Sequence, residues 1–259
     1  MLQNGKFLAK FLAFDTSTDV MSIALTDGVR VWEHTAPGGA KASTTLIPAI
    51  LGLLADAGLA LGDLQAIAFG RGPGSFTGLR TACAVAQGLA FGARRDNPAD
   101  TGMAVLPIDT LMAVAEEARL QKDSAHITAL LDARMDEMYL QRYSCQEGEQ
   151  GVLTPLGACE LVRPELLQPD ADSLYAGNVF GVYAGRLPEG LNTVTCLPTA
   201  TAMLRLAPWL AANGHCVPAD QALPLYVRDK VAQTTSEREA AKAIKLHAAR
   251  TALSEVNPP

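Results

Sequence analysis

An acidic hairpin signature occurs twice in this chain, and that duplication restricts the fold more than any other feature. Phe14-Asp15-Thr16-Ser17-Thr18-Asp19-Val20-Met21-Ser22-Ile23 is answered by Leu131-Asp132-Ala133-Arg134-Met135-Asp136-Glu137-Met138-Tyr139-Leu140. In each copy an apolar run enters a first Asp, a second Asp follows four residues on, and alternating apolar residues (Met21, Ile23, Leu25; Met138, Leu140) resume a half-buried strand. Each copy opens a block of roughly a hundred residues, so the pattern predicts a duplicated α/β lobe with a cleft between the halves. The expected division is 1–108 for the amino-terminal lobe, 109–235 for the carboxy-terminal lobe and 236–259 for a tail.

A chain of 259 residues that is 49% hydrophobic can bury a sizeable core. Its net charge of −6 argues against strong binding driven by release of counterions from a phosphate backbone. If RNA is the target, another component must hold it. The five cysteines (83, 145, 159, 196 and 216) are odd in number and include no C-x-x-C pair, which fits a reducing cytoplasm and neither a disulfide framework nor a zinc ribbon. Lys10 splits the apolar start of the chain and Asp15 ends it, so a first strand is expected there rather than a signal peptide. The run from Leu46 to Ala55 contains Pro48 and Gly52 and stops at Asp56, too short for a membrane span.

Between the hairpins, the pattern predicts a strand at 29–35, a helix from the Ser43 N-cap to about Ala57 with Gly58 as its C-cap, and a strand at 64–69. A glycine-rich loop, a helix over 77–92, a strand at 104–107 and a helix at 110–120 follow. In the second half, strands are expected at 127–131, 139–143, 153–159 and 174–176, with helices near 164–167 and over 201–213. The capping-box spacing at Ser236 and Glu239 adds a terminal surface helix.

Two sets of residues are candidates for binding an anion. Gly70-Arg71-Gly72-Pro73-Gly74-Ser75-Phe76-Thr77-Gly78-Leu79-Arg80 joins a strand to a helix, where free N–H groups cradle phosphates. It lacks the Gly-Lys-Ser/Thr of a Walker loop, and Thr77 stands where a dinucleotide fingerprint needs its third glycine. Asp15, with Thr16, Ser17 and Thr18, has the donors for Mg²⁺ and phosphate, and Asp132 could face it. The candidate contacts are Asp15, Thr16, Ser17, Gly72, Gly74, Ser75, Thr77 and Arg80. A close-packed corner accounts equally for these glycines, and a plain Asx-turn is enough to explain Asp132. The four histidines (34, 126, 215 and 247) form no metal-binding pair, and no nucleophile elbow is present.

The helices on either side of the loop carry more apolar surface than one contact needs. Ile47, Ile50, Leu51 and Leu54 make one stripe that covers a sheet, while Leu46, Leu53 and Ala57 lie outside it. The second helix, with Ala82, Val85, Ala86 and Leu89, is small and apolar nearly all round. Either both helices are sandwiched within the chain, or these residues form a partner interface.

Taken together, the Asp15 hairpin, the glycine undecapeptide, Asp132 to Tyr139, Ala176-Gly177-Asn178 and Tyr226-Val227-Arg228-Asp229-Lys230 resemble the bacterial TsaB (YeaZ) family over nearly the whole chain to about Thr235. The resemblance implies the actin/hexokinase/Hsp70 superfold, with two ribonuclease-H-like lobes. It further implies a role in making N6-threonylcarbamoyladenosine at position 37 of tRNAs that read codons beginning with adenine. On that basis the chain is a non-catalytic scaffold for a TsaD-type paralogue, with a TsaE-type ATPase recruited to the pair. ATP and metal reside on those partners, no cofactor is bound by this chain alone, and tRNA is met only through the complex. The helix pair is the family's pairing surface, which a homodimer of the isolated chain would share.

The His-x-x-x-His motif of TsaD-like proteins is missing from Asp109 to Val114, which fits a paralogue that lost the catalytic site. Two departures from the family stand out: Ala42-Ser43 replaces a His-Ser pair common among relatives, and the tail beyond Thr235 exceeds that of many relatives. The alternatives are an ATP-dependent small-molecule kinase of the same superfold, for which only Gly177-Asn178 and Asp132 speak, and a metallopeptidase, for which ligands are lacking.

Overall fold

Phe11 to Asp15 is apolar until its last residue and wholly buried, because a strand lies on each side of it. In the computed structural model, which describes residues 2–3, 6–7, 9–93, 102–145 and 152–228, the chain begins with two short paired strands, β1 (Leu2–Gln3) and β2 (Lys6–Phe7). Next come β3 (Phe11–Asp15), β4 (Val20–Thr26), β5 (Val31–Pro37), α1 (Ala42–Ala57), β6 (Ala66–Gly72), α2 (Phe76–Gly92), β7 (Ala104–Asp109) and α3 (Thr110–Gln121). The second half supplies β8 (His126–Asp132), β9 (Met138–Cys145), β10 (Leu153–Val162), β11 (Leu174–Gly177), α4 (Val179–Val182), β12 (Thr193–Thr195) and α5 (Ala200–Ala212). The connector 94–101 and the expected terminal helix after Ser236 lie outside the described residues.

The two sheets repeat one design. Their orders are β5-β4-β3-β6-β7 and β10-β9-β8-β11-β12. In each, the central strand pairs antiparallel with its hairpin partner and parallel with a later strand. The hairpin registers differ by one residue, Asp15 facing Ser22 seven positions on and Asp132 facing Met138 six positions on. The duplicated α/β architecture expected from the sequence is therefore present.

Side-chain alternation sends each sheet's residues to two different cores. On one face of the first sheet, Leu12, Phe14, Met21 and Ile23 pack under α1 and α2; on the other, Phe11, Ala13, Ala24 and Ala66 pack under α5. The second sheet turns Ile127, Ala129 and Leu131 toward α3, and Leu130, Met138 and Leu140 toward α4 and Tyr183. Within residues 1–227, helices α3 and α5 thus form a layer between the two sheets. They are joined there by Arg205, whose guanidinium donates to Glu116 at 2.9 Å and to Glu117 at 3.1 Å, and Thr199 donates to Glu117 at 2.7 Å. Among the described residues no helix is long and apolar enough to cross a membrane.

Helix α1 starts one residue before the expected cap, so Ser43 lies inside it, while Gly58 ends it in the left-handed conformation at φ 66°. Ser75 caps α2 by accepting from the Gly78 N–H. The expected helix near Pro164 is only a 3-10 turn, Pro164–Leu166.

Candidate functional site

The corner between β6 and α2 rests on the turn that follows β3. Asp15 is 1% exposed, and its carboxylate accepts from the Ser17 N–H at 2.8 Å, the Ser17 hydroxyl at 2.6 Å and the Thr110 hydroxyl at 3.3 Å. The Gly72 N–H donates in turn to Thr110 Oγ1. Thr16 donates its hydroxyl to the Gly78 carbonyl at 2.7 Å, and the Ser75 N–H donates to the Ser17 carbonyl at 2.7 Å. Burial raises the Asp15 pKa above its ordinary value even though Ser17 and Thr110 oppose the shift.

Two glycines make this approach feasible. A Cβ on Gly70 would stand 1.8 Å from Asp15 Oδ2, and one on Gly78 would stand 1.9 Å from the Thr16 carbonyl oxygen. The geometry is that of a close-packed corner. Asp15, Thr16 and Ser17 spend their polar groups on one another and on the loop, Gly72 is buried, and Gly74 lies against Ser17. The Asp15 carboxylate and the Thr16 and Ser17 hydroxyls are thus bonded within the corner. Ser75, Thr77 and Arg80 are exposed. The Arg80 guanidinium stacks over Phe76 at 3.9 Å and its Nε donates to the Tyr226 hydroxyl at 3.1 Å.

Asp132, in the second hairpin, has different surroundings. It accepts from the Arg134 N–H at 2.9 Å and from the Tyr183 hydroxyl at 2.7 Å, and Arg134 reaches across to Asp19 on the first hairpin at 3.1 Å. The two turns of the repeat therefore meet. Burial, followed by the bond to Asp132, holds the Tyr183 phenol above its usual pKa.

The outer faces of α1 and α2 lie side by side over the first sheet. Leu46, Ile50, Leu53 and Leu54 are buried against that sheet, as are Ala82 and Ala86. These six residues are expected from the sequence at a partner surface, and the structure corrects that: they are core. Ala57, Val85 and Leu89 are half-buried at the edge. What faces outward is Ile47 at 42% exposure, Leu51 at 50% and Phe91 at 59%, together with Ala55, Ala84 and Gly88.

The apolar arc is as wide as the sequence suggests, but its phase on α1 is displaced by one residue, or roughly 100°. A signal for the correct phase was available. Pro48 and Gly52, poor core fillers, share the outward side with Leu51 and Ala55. Asp56 is the single charged residue of α1, and Arg80 that of α2.

The chain's similarities to known proteins follow this anatomy. The family model described as "TsaD: tRNA N6-adenosine threonylcarbamoyltransferase" matches residues 33–167. The tRNA threonylcarbamoyladenosine biosynthesis protein TsaB of Escherichia coli K12 is 32% identical over 234 residues, 86% of this chain and 96% of that protein. The TsaB of Haemophilus influenzae Rd is 32% identical over 229 residues, 85% of this chain and 94% of its own length. Among solved structures, YeaZ from Pseudomonas aeruginosa superposes with a TM-score of 0.75 at 36% identity, covering 85% of this chain and all of that one.

Proposed function

This chain belongs to the TsaB (YeaZ) family, and from that premise we propose that it serves as the non-catalytic scaffold of the tRNA threonylcarbamoyladenosine machinery, holding a TsaD-type paralogue in its working form. Its place in that biosynthetic pathway comes with the family, and so does the duplicated ribonuclease-H-like fold. The scaffold role rests on one observation above all. Two adjacent helices of 16 and 17 residues turn Ile47, Leu51, Phe91, Ala84 and Gly88 to water with scarcely a charge between them. An apolar surface of that kind marks an interface, and the small side chains at Ala84 and Gly88 allow a partner helix to come close.

In this reading the partner is the TsaD-type protein, the TsaE-type ATPase joins the assembled pair, and tRNA contacts this chain only through the complex. ATP and metal chemistry belong to those subunits. The internally bonded Asp15 turn supports the assignment, since its carboxylate and hydroxyls are already engaged. The reaction takes place with tRNA in the cytoplasm. An isolated preparation would pair with a second copy through the same helices.

The test separates surface from core. Leu51→Asp is expected to weaken binding to the TsaD-type partner more than about 100-fold, because burying an unpaired carboxylate costs roughly 3–5 kcal/mol. The variant's melting temperature should stay close to wild type. Leu54→Asp, by contrast, should unfold the chain. Full tRNA modification by the TsaD- and TsaE-type proteins with this chain left out would defeat the proposal.

A further inference from the structure

A pocket of about 440 Å³ lies away from the α1–α2 face, between the carboxy-terminal ends of β6 and β7, the start of β10 and the end of α5. Its size falls within the range, roughly 300–1,000 Å³, that holds small organic molecules. Ile108, Leu153 and Leu210 make a buried apolar floor, and Trp209 forms a wall with its indole 6.0 Å from the His215 ring.

Thr154 and His215 add polar groups to the lining, and its paired charges are one ion pair, Arg71 Nε to Asp109 Oδ1 at 2.5 Å. Local structure aims both side chains at this spot. The ladder between β6 and β7 slips between Gly70 and Gly72, so Arg71 sits in a bulge that redirects its side chain toward the end of β7. Asp109 is the N-cap residue of α3, yet its carboxylate makes no cap bond and turns to Arg71 instead. Forgoing a cap costs about 1 kcal/mol. Among the described residues no other hydrogen bond reaches either side chain, so the Arg71 Nη groups and Asp109 Oδ2 remain open at the pocket.

Those open groups stand side by side with opposite sign. A simple anion drawn to Arg71 would meet the Asp109 carboxylate, and a simple cation drawn to Asp109 would meet the guanidinium. A ligand bearing a carboxylate next to an ammonium satisfies both, with its apolar portion lying on Trp209 and the floor. We propose that this pocket binds a free α-amino acid with an apolar, preferably aromatic, side chain, its carboxylate on Arg71 and its ammonium on Asp109. The site is independent of the scaffold role and of the helix face.

The test uses the full-length chain in a Trp32→Phe background, which leaves Trp209 as its only tryptophan. L-Phenylalanine is titrated while calorimetry and indole emission are recorded. Saturable binding with Kd of about 1 mM or tighter is expected, with a matching change in emission. 2-Phenylethylamine, 3-phenylpropionate and L-serine, which lack the carboxylate, the ammonium and the apolar group respectively, should each bind at least about tenfold more weakly. Arg71→Gln and Asp109→Asn should each weaken L-phenylalanine binding by a similar factor. Absence of binding, binding with no change in indole emission, or equal affinity for any of the three analogues would overturn the proposal, and the analogue series decides the matter even if a variant fails to fold.

Discussion

The two hairpins read as copies in sequence, yet the second pairs one residue tighter than the first and their turns are held in place by different physics. The first is packed. Glycines let the β6–α2 corner close onto it, and its carboxylate is enclosed by hydroxyls and backbone N–H groups. The second is strapped from outside: Arg134, Met135 and Asp136 all take left-handed conformations, with φ of 60°, 57° and 61°, and the turn is tied down by Tyr183 and by the Arg134–Asp19 bridge. Non-glycine residues pay roughly 1–2 kcal/mol each for that backbone region. A conserved plan of strands therefore leaves its connecting turns free to be stabilised in separate ways. The outer faces diverge too, with long α1 and α2 on one half and only the four-residue α4 and a 3-10 turn on the other.

The largest effect that would break this comparison is expected at Gly78. Replacement by Ala puts a Cβ into the Thr16 carbonyl and should destabilise the fold by about 3 kcal/mol or more. Gly88→Ala, in the same helix with nothing near its Cβ, should stabilise it by up to about 1 kcal/mol. Urea denaturation of the two variants measures both.

Next comes Asp15→Ala, which strands the Ser17 and Thr110 donors inside the corner and should cost about 3 kcal/mol. Asp132→Ala, less enclosed, should cost about half as much. Asp15 also sharpens the contrast through pH. Its folded pKa lies above 3.8, so its contribution to stability is complete below that value and is lost as pH rises through the folded value. Wild type should lose stability relative to Asp15→Asn as the pH is raised from about 4 toward neutrality. Parallel melts across that range would reveal the divergence, and parallel curves would contradict the packed description of the first turn.

The smallest effect belongs to the second turn. Met135 is exposed and left-handed, so Met135→Gly should raise stability by about 0.5–1 kcal/mol. A loss of similar size would mean that the turn is not strained.

Much of this architecture was legible in the sequence. Period-two alternation around Asp15 and Asp132 gave both central strands and their hairpins, and Gly58 marked the end of α1 correctly. The interface face was less legible. Leu and Ile occupy both sides of α1, and only contact with the sheet separates Leu46, Ile50 and Leu54 from Ile47 and Leu51. Nor does composition distinguish a glycine loop that cradles an anion from one that lets two backbones touch. That choice depends on where the Asp15 turn lies in three dimensions. The Arg71 bulge left no trace in the periodicity, because a bulge is a mismatch of register between two strands.

The last α-helix among the described residues, α5, lies on the sheet built by the first residues, while α3 leans on the sheet built after it. Neither half of the polypeptide is thus self-sufficient. A nascent chain emerging from the ribosome carries a naked row of Phe11, Ala13, Ala24 and Ala66 until residues near 210 have been synthesised, so the sheet that folds from the first residues waits for α5 to be covered.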